Sequence, residues 1–195
     1  MRIISGNLRA KKINSPKTDK TRPTLDRVKE AMFSIINPYI QDSNVLDLFS
    51  GTGNLGLEAI SRGAKFVLLN DDKNIAISTI ISNVELTNTR NYVKITMKDY
   101  RKCLNQIQKE ERLFDIIFLD PPYDSDLAIN SLKFISDTND KILSKDGIIV
   151  YETDKNFVAK CNKKSEGMLL KIGNLVCYDT RTYSNVVLMF YKWGE

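Results

Sequence analysis

Histidine is absent from the 195 residues. That removes the one side chain whose unperturbed titration falls near neutrality, and with it His-based triads, His-ligated zinc sites and His general bases. Proton chemistry is left to Asp, Glu, Lys, Tyr, the backbone or water, and no metal is expected. Cysteine is scarce: Cys103, Cys161 and Cys177 are far apart, odd in number and form no C-x-x-C pair, which fits reduced thiols in a cytoplasmic protein. No apolar run approaches the roughly 20 residues that span a bilayer. The opening stretch, Met1-Arg2-Ile3-Ile4-Ser5-Gly6, lacks the apolar core of a secretory signal. Repeats and low-complexity segments are missing too. The expectation is a cytoplasmic globular monomer with no membrane attachment, long enough for one domain with a real core and a small extension.

Charge is present but uneven. Residues 1–40 hold nine Lys/Arg (among them Lys11, Lys12, Arg22 and Arg27) against Asp19, Asp26 and Glu30, whereas residues 41–195 hold 20 Lys/Arg against 21 Asp/Glu. The net charge of +5 is therefore carried by the first forty residues. Such a patch suits a polyanion such as nucleic acid, and charge alone fits a solvated lysine-rich surface equally well. The division expected is a basic N-terminal hairpin and helix over 1–40, followed by the main domain over 41–195.

Residues 2–22 suggest a short hairpin-like piece and a polar loop from Asn14 to Arg22. Pro23 and Thr24 open a helix, Thr24 as N-cap, with Leu25, Val28, Met32, Ile35, Ile36 and Tyr39 at helical spacing and Pro38 ending or bending it. The chain then alternates. Strands are predicted over Val45–Phe49, Phe66–Leu69, Tyr92–Met97, Asp115–Leu119 and Ile148–Glu152, with helical patterns near 54–62, 73–87, 101–110 and 126–143 between them. Alternation of this kind implies an α/β fold, a Rossmann-like doubly wound and mostly parallel sheet. The tail breaks the alternation. There Met168–Cys177 and Val186–Trp193, joined by Tyr178–Asn185, read as a C-terminal antiparallel hairpin.

Two places carry chemistry. The first strand runs Val45-Leu46-Asp47-Leu48-Phe49 into Ser50-Gly51-Thr52-Gly53-Asn54-Leu55-Gly56, a G-x-G-x-x-G pattern where open α/β sheets bind ligands. Gly51 and Gly53 let the backbone turn tightly and approach a ligand. No Lys-Ser/Thr follows, so it is not a phosphate P-loop. An NAD site is one reading, with Asp71 near the position of a ribose-binding acid. S-adenosylmethionine is the other, with Asp47 facing its ammonium or merely bracing the turn. Asp99 could accept from an adenine amine or cap the following helix.

The second place is Asp120-Pro121-Pro122-Tyr123, at the end of the fourth predicted strand and at the same sheet edge as the glycine turn. Two prolines remove backbone donors. Acceptors remain, the Asp120 carboxylate and the Pro121 carbonyl, beside the flat ring of Tyr123. That set suits a planar group with N–H donors, such as the exocyclic amine of a nucleobase. Accepting from both N–H groups favours a pyramidal nitrogen with an available lone pair, and in-line attack on a sulfonium methyl follows. Asp120 orients first and takes the proton second, and much of the rate comes from positioning. The base must be flipped or unpaired, and stacked on Tyr123. A proline-punctuated turn is the plain alternative; the glycine turn and the lack of other catalytic groups favour function.

These residues resemble the Asp-Pro-Pro-Tyr class of amino methyltransferases. More narrowly, the chain resembles the bacterial 16S rRNA guanine-N2 methyltransferase family of the RsmD type. The likeness runs through Arg2-Ile3-Ile4-Ser5-Gly6, Arg22-Pro23-Thr24-Leu25-Asp26-Arg27-Val28, Asp47 to Ala59, Phe118 to Tyr123 and Val187 to Tyr191. It implies S-adenosylmethionine as cofactor, a guanine N2 target in 16S rRNA, and small-ribosomal-subunit particles as partner. The basic first forty residues then contact RNA, with Arg22 and Arg27 on phosphate or ordering the site. Where the family has Glu at the end of the second strand this chain has Asn70, followed by Asp71 and Asp72, and any of the three could hold the ribose. Ser184 stands where the family usually has glycine. An adenine-N6 methyltransferase, an NAD-dependent oxidoreductase and a non-catalytic RNA-binding assembly factor are the alternatives.

Overall fold

The computed structural model describes residues 1–15, 26–122, 124–138 and 141–194. The predicted N-cap at Thr24 and most of the polar loop lie outside the described residues, as do Arg22 and Tyr123. The chain forms two compact units, Met1–Cys103 and Leu104–Glu195.

In the first unit the opening segment is hairpin-like: Ile3 N donates to Lys11 O, Ala10 N to Ile3 O and Ile13 N to Met1 O. Arg2 and Lys12 make a single antiparallel bridge, and Gly6, at φ +80°, turns the chain between them. Ile3 and Ile13 are buried and pin the segment down. Helix α1 (Asp26–Ile36) buries Val28, Met32, Phe33 and Ile36 on one stripe, each worth roughly 1.5–3 kcal/mol against exposure. It stops before Pro38, in a 3-10 turn over Asn37–Tyr39. Then follow β1 (Asn44–Asp47), α2 (Asn54–Ser61), β2 (Phe66–Asp71), α3 (Asn74–Thr87) and β3 (Val93–Met97). Strands β1 and β2 pair in parallel, as do β2 and β3, so β2 lies in the middle. Continuous burial along β1 and β2 is what helices on both faces of a parallel sheet produce. The boundary between the units falls inside α4 (Tyr100–Lys109).

The second unit holds β4 (Phe114–Leu119), α5 (Leu127–Asp137), β5 (Leu143–Asp154), α6 (Lys155–Lys164), β6 (Lys171–Ile172), β7 (Leu175–Tyr183) and β8 (Val186–Trp193). β4 and β5 are parallel; β5–β8, β8–β7 and β7–β6 are antiparallel. Mostly parallel strands with antiparallel ones at the C-terminus make the fold Rossmann-like.

Two expectations are corrected here, and one element is added. The helix predicted over 126–143 ends at Asp137, because Leu143 is recruited into β5 opposite Phe114. The stretch after β5 is a helix, α6: the Asp154 carboxylate accepts from Phe157 N at 2.9 Å and caps it. The predicted connection Tyr178–Asn185 is mostly strand, because its polar residues pair along β8, leaving Ser184-Asn185 as the turn. Ser184 takes φ +55°, the left-handed region that favours glycine.

Candidate active site

Strand β1 ends at Asp47, and six residues lead from it to α2. Gly51 and Gly53 sit at φ +55° and +76°; a side chain at either would be strained. A Cβ on Gly56 would come within 2.3 Å of Leu69 Cδ2 and 2.8 Å of Val67 Cγ1. The third glycine therefore lets α2 lie directly on β2. Ser50 N donates to Asn70 O at 2.9 Å and Gly53 N to Ser50 O at 2.8 Å, which ties the turn to β2 and closes it.

Asp47 is buried to 1% exposure. Its Oδ2 accepts from Gly56 N at 3.1 Å, so it does brace the turn. Its Oδ1 is buried with no partner among the described residues. Burial pushes the carboxyl up to about 7, the Asp71 carboxylate adds to the rise, and bonds from Gly56 and Ser50 oppose it. A buried carboxylate oxygen with an unused lone pair suits a cationic N–H donor, and the ammonium of an amino-acid-like cofactor fits it.

Asp71 ends β2, half-buried. Its Oδ2 accepts from Gly51 N at 2.9 Å and its Oδ1 from Lys73 N at 3.0 Å, so the acid touches the glycine turn directly. Asn70 is differently engaged. Its amide donates to Leu48 O at 3.1 Å and Lys98 O at 3.0 Å, and its oxygen accepts from Thr96 Oγ1 at 2.8 Å. One buried side chain thus stitches the ends of three neighbouring strands. Asp72 is exposed. Asp99 caps α4, its Oδ1 accepting from Arg101 N at 2.9 Å. Beside it Tyr100 is buried, its ring 6.1 Å from that of Phe49. The structure thus brings Asp47, Gly51, Gly53, Asn70 and Asp71 together around one turn, with Asp99 at the following strand's exit.

In the second unit, Asp120 is half-buried immediately after β4, and Pro121 is buried. The Pro122 carbonyl accepts from Ser125 Oγ at 2.6 Å, which closes the loop after the prolines. Of the candidate RNA contacts, Lys11, Lys12 and Arg27 are all exposed, the lysines on the opening segment and Arg27 on α1.

A family model described as Conserved hypothetical protein 95 matches residues 1–192. YlbH of Bacillus subtilis is 33% identical over 192 residues, 98% of each chain. The Haemophilus influenzae Ribosomal RNA small subunit methyltransferase D is 36% identical over 157 residues, 80% of each chain. The chain belongs to this RsmD-type methyltransferase family. Among solved structures, yhhF of Escherichia coli superposes with a TM-score of 0.80 at 27% identity, over 100% of this chain and 98% of that one.

This RsmD-type chain also holds polar residues that sequence reasoning passed over. Lys29 on α1 and Glu58 on α2 are both fully buried and lie 3.0 Å apart, Nζ to Oε2. Burial pulls the Lys29 ammonium below its usual range, against the pull of Glu58. Glu58 also accepts from Arg62 Nε at 2.8 Å, from Ile4 N at 2.8 Å and from Ser5 N at 3.0 Å. Asn83 on α3 is fully buried as well. A signal was available: Lys29 falls on the same helical stripe as Met32 and Phe33, where a charge needs a partner.

Proposed function

We propose that the chain transfers a methyl group from S-adenosylmethionine to the exocyclic N2 amine of a guanine in 16S rRNA, acting as a monomer on a small-subunit assembly intermediate. The observation that carries the chemistry is the buried, unpartnered Asp47 Oδ1 beside a turn opened by two left-handed glycines. A carboxylate there holds an ammonium. It disfavours the pyrophosphate of a dinucleotide, which would meet both Asp47 and Asp71 as like charges. The substrate class is supported by a relative named as a small-subunit rRNA methyltransferase at 36% identity, and by the cationic first forty residues.

S-adenosylmethionine supplies an electrophilic methyl on a positive sulfur. The protein's part is to hold and aim. Asp47 takes the ammonium. Asp71, adjoining the turn through Gly51 N, accepts from the ribose hydroxyls; Asn70 has its amide committed to backbone carbonyls and keeps the strand ends in place. Asp99 accepts from the adenine amine while capping α4. Asp120 and the Pro121 carbonyl accept the two N–H bonds of the guanine amine, and Tyr123 stacks on the base. Asp120 then receives the proton that the methylated nitrogen sheds. Pro121 and Pro122 offer no N–H that could compete for the lone pair. Residues 41–195 carry the reaction, and Lys11, Lys12, Arg22 and Arg27 in the first forty hold RNA phosphates.

The test is methyl transfer from radiolabelled S-adenosylmethionine to small-subunit particles from cells lacking the gene, followed by nucleoside analysis. Label in N2-methylguanosine is the expected result. Label in N6-methyladenosine overturns the base assignment while keeping the mechanism. Cofactor binding without any label points to an assembly factor.

A further inference from the structure

Thr52 and Asn54 flank Gly53 in the turn, and each is tied to the N-terminal segment through one fully buried polar side chain. Asn83 makes the first tie. Its Nδ2 donates to Thr52 O at 2.9 Å and to Asn14 O at 3.1 Å, and its Oδ1 accepts from Asn14 N at 2.7 Å. The carboxamide meets the Asn14 peptide as a neighbouring strand would. Lys29 makes the second. Its Nζ lies 2.8 Å from Asn54 Oδ1, 2.8 Å from Arg2 O and 3.0 Å from Glu58 Oε2, which takes all three of its donors. Glu58 in turn accepts the amides of Ile4 and Ser5.

Asparagine and lysine are rarely buried completely. Here both are, and both bridge the same two places. Bonds among buried polar groups are stiff in a definite sense: a broken one leaves a desolvated donor or acceptor, at about 1–3 kcal/mol each. Water cannot make up the loss at these sites. A shift of the turn by a few tenths of an ångström therefore passes to Arg2, Ile4, Ser5 and Asn14 rather than being absorbed between them.

We propose that Asn83 and Lys29 are positioning residues that couple cofactor binding at the glycine turn to the ordering of the basic N-terminal segment, so that cofactor and RNA each tighten the other's binding. The inference rests on the reading of the turn as the cofactor site. Coupling between two ligands is reciprocal, so either can serve as the readout. The segment that meets RNA is then firmest when the methyl donor is in place, and the donor is held most tightly when RNA is bound.

The test uses the full-length protein with S-adenosylhomocysteine as probe, read by amide hydrogen exchange and by affinity for a 16S rRNA transcript. In the wild type, saturating probe should slow exchange in residues 47–57 and also in 1–15, where the amides of Ile4, Ser5 and Asn14 reside. RNA affinity should rise about five-fold or more with probe present. In Asn83→Asp, which keeps the acceptor for Asn14 N but loses both donated bonds, and in Lys29→Met, that ratio should fall toward one. Protection in 47–57 with none in 1–15, or an RNA affinity indifferent to probe, overturns the coupling on wild-type protein alone. A wild type in which neither stretch is protected and no probe binds overturns the cofactor reading, and the coupling with it. Variants that fold and bind probe yet keep the full ratio overturn the assignment to Asn83 and Lys29.

Discussion

Asp47 is the sharpest handle on the proposed cofactor site, because its two roles pull in opposite directions. The free carboxyl is held near 7 by burial and by Asp71, from an ordinary value of 3.8. An ammonium needs the carboxylate, so only the ionised fraction of the free protein is ready to bind. That fraction is about one half at pH 7 and about one eleventh at pH 6, and the apparent dissociation constant scales inversely with it, a weakening of about five-fold over that step. A ligand α-amine stays protonated throughout this range, so the change belongs to the protein. Isothermal titration calorimetry in two buffers of different ionisation heat should show nearly one proton released per cofactor at pH 6. Asp47→Asn removes the charge, should weaken binding by about ten- to a hundred-fold or more, at 1.5–3 kcal/mol for a charged hydrogen bond, and should abolish the slope between pH 6 and 7. The same shift acts on stability with the other sign. The folded state holds a proton that the unfolded state has lost between about pH 4 and 7, so this group's contribution declines as pH rises through that window and levels off above it. Without ligand, Asp47→Asn should therefore be more stable to urea than wild type at pH 8, by a few kcal/mol at most, since each unit is about 1.4 kcal/mol. An affinity flat from pH 7 to 6, together with an Asn variant that binds as well as wild type, would refute the ammonium assignment.

Other expectations are more local. Asp120→Ala should abolish methyl transfer while RNA binding, measured by filter retention, persists; transfer near the wild-type rate sinks that assignment. Replacing Lys11, Lys12 and Arg22 by Gln should weaken RNA binding and lower the log–log salt slope by about two, at roughly 0.7–0.9 per phosphate contact; an unchanged slope removes these residues from the interface. Glu58→Ala strands a buried Lys29 and frees two amides, so thermal or urea denaturation should report a loss of about 3–5 kcal/mol. A loss below about 1 kcal/mol would mean that the buried pair is not the anchor its geometry describes.

The alternation of apolar runs and helical spacing was enough to locate β1 to β5 and α2 to α4, because the buried strands β1, β2, β4 and most of β5 leave nearly unbroken apolar stretches, while half-buried β3 alternates Val93, Ile95 and Met97 with Lys94 and Thr96. The elements that escaped are those whose pattern is polar. β7 carries Tyr178-Asp179-Thr180-Arg181-Thr182 and reads as a loop until β8 supplies a ladder for it. α6 is short and lysine-rich, marked only by its Asp154 cap.

The site divides along the same line. Carboxylate, glycine turn and Asp-Pro-Pro stand in the chain as local patterns, because turn geometry and the removal of N–H donors depend on neighbouring residue types alone. Which Asp47 oxygen lacks a partner depends on how the turn folds back to Gly56, nine residues on, and Asn70 spends its amide on Leu48 and Lys98, 22 and 28 residues away. The tie from Asn14 through Asn83 to Thr52, spanning 69 and 31 residues, is of that kind. Sequence by itself determined the order of elements and the chemistry available at their ends; tertiary structure decided which polar groups lose water, and burial is what turns an ordinary Asp, Asn or Lys into one with a specific partner to keep.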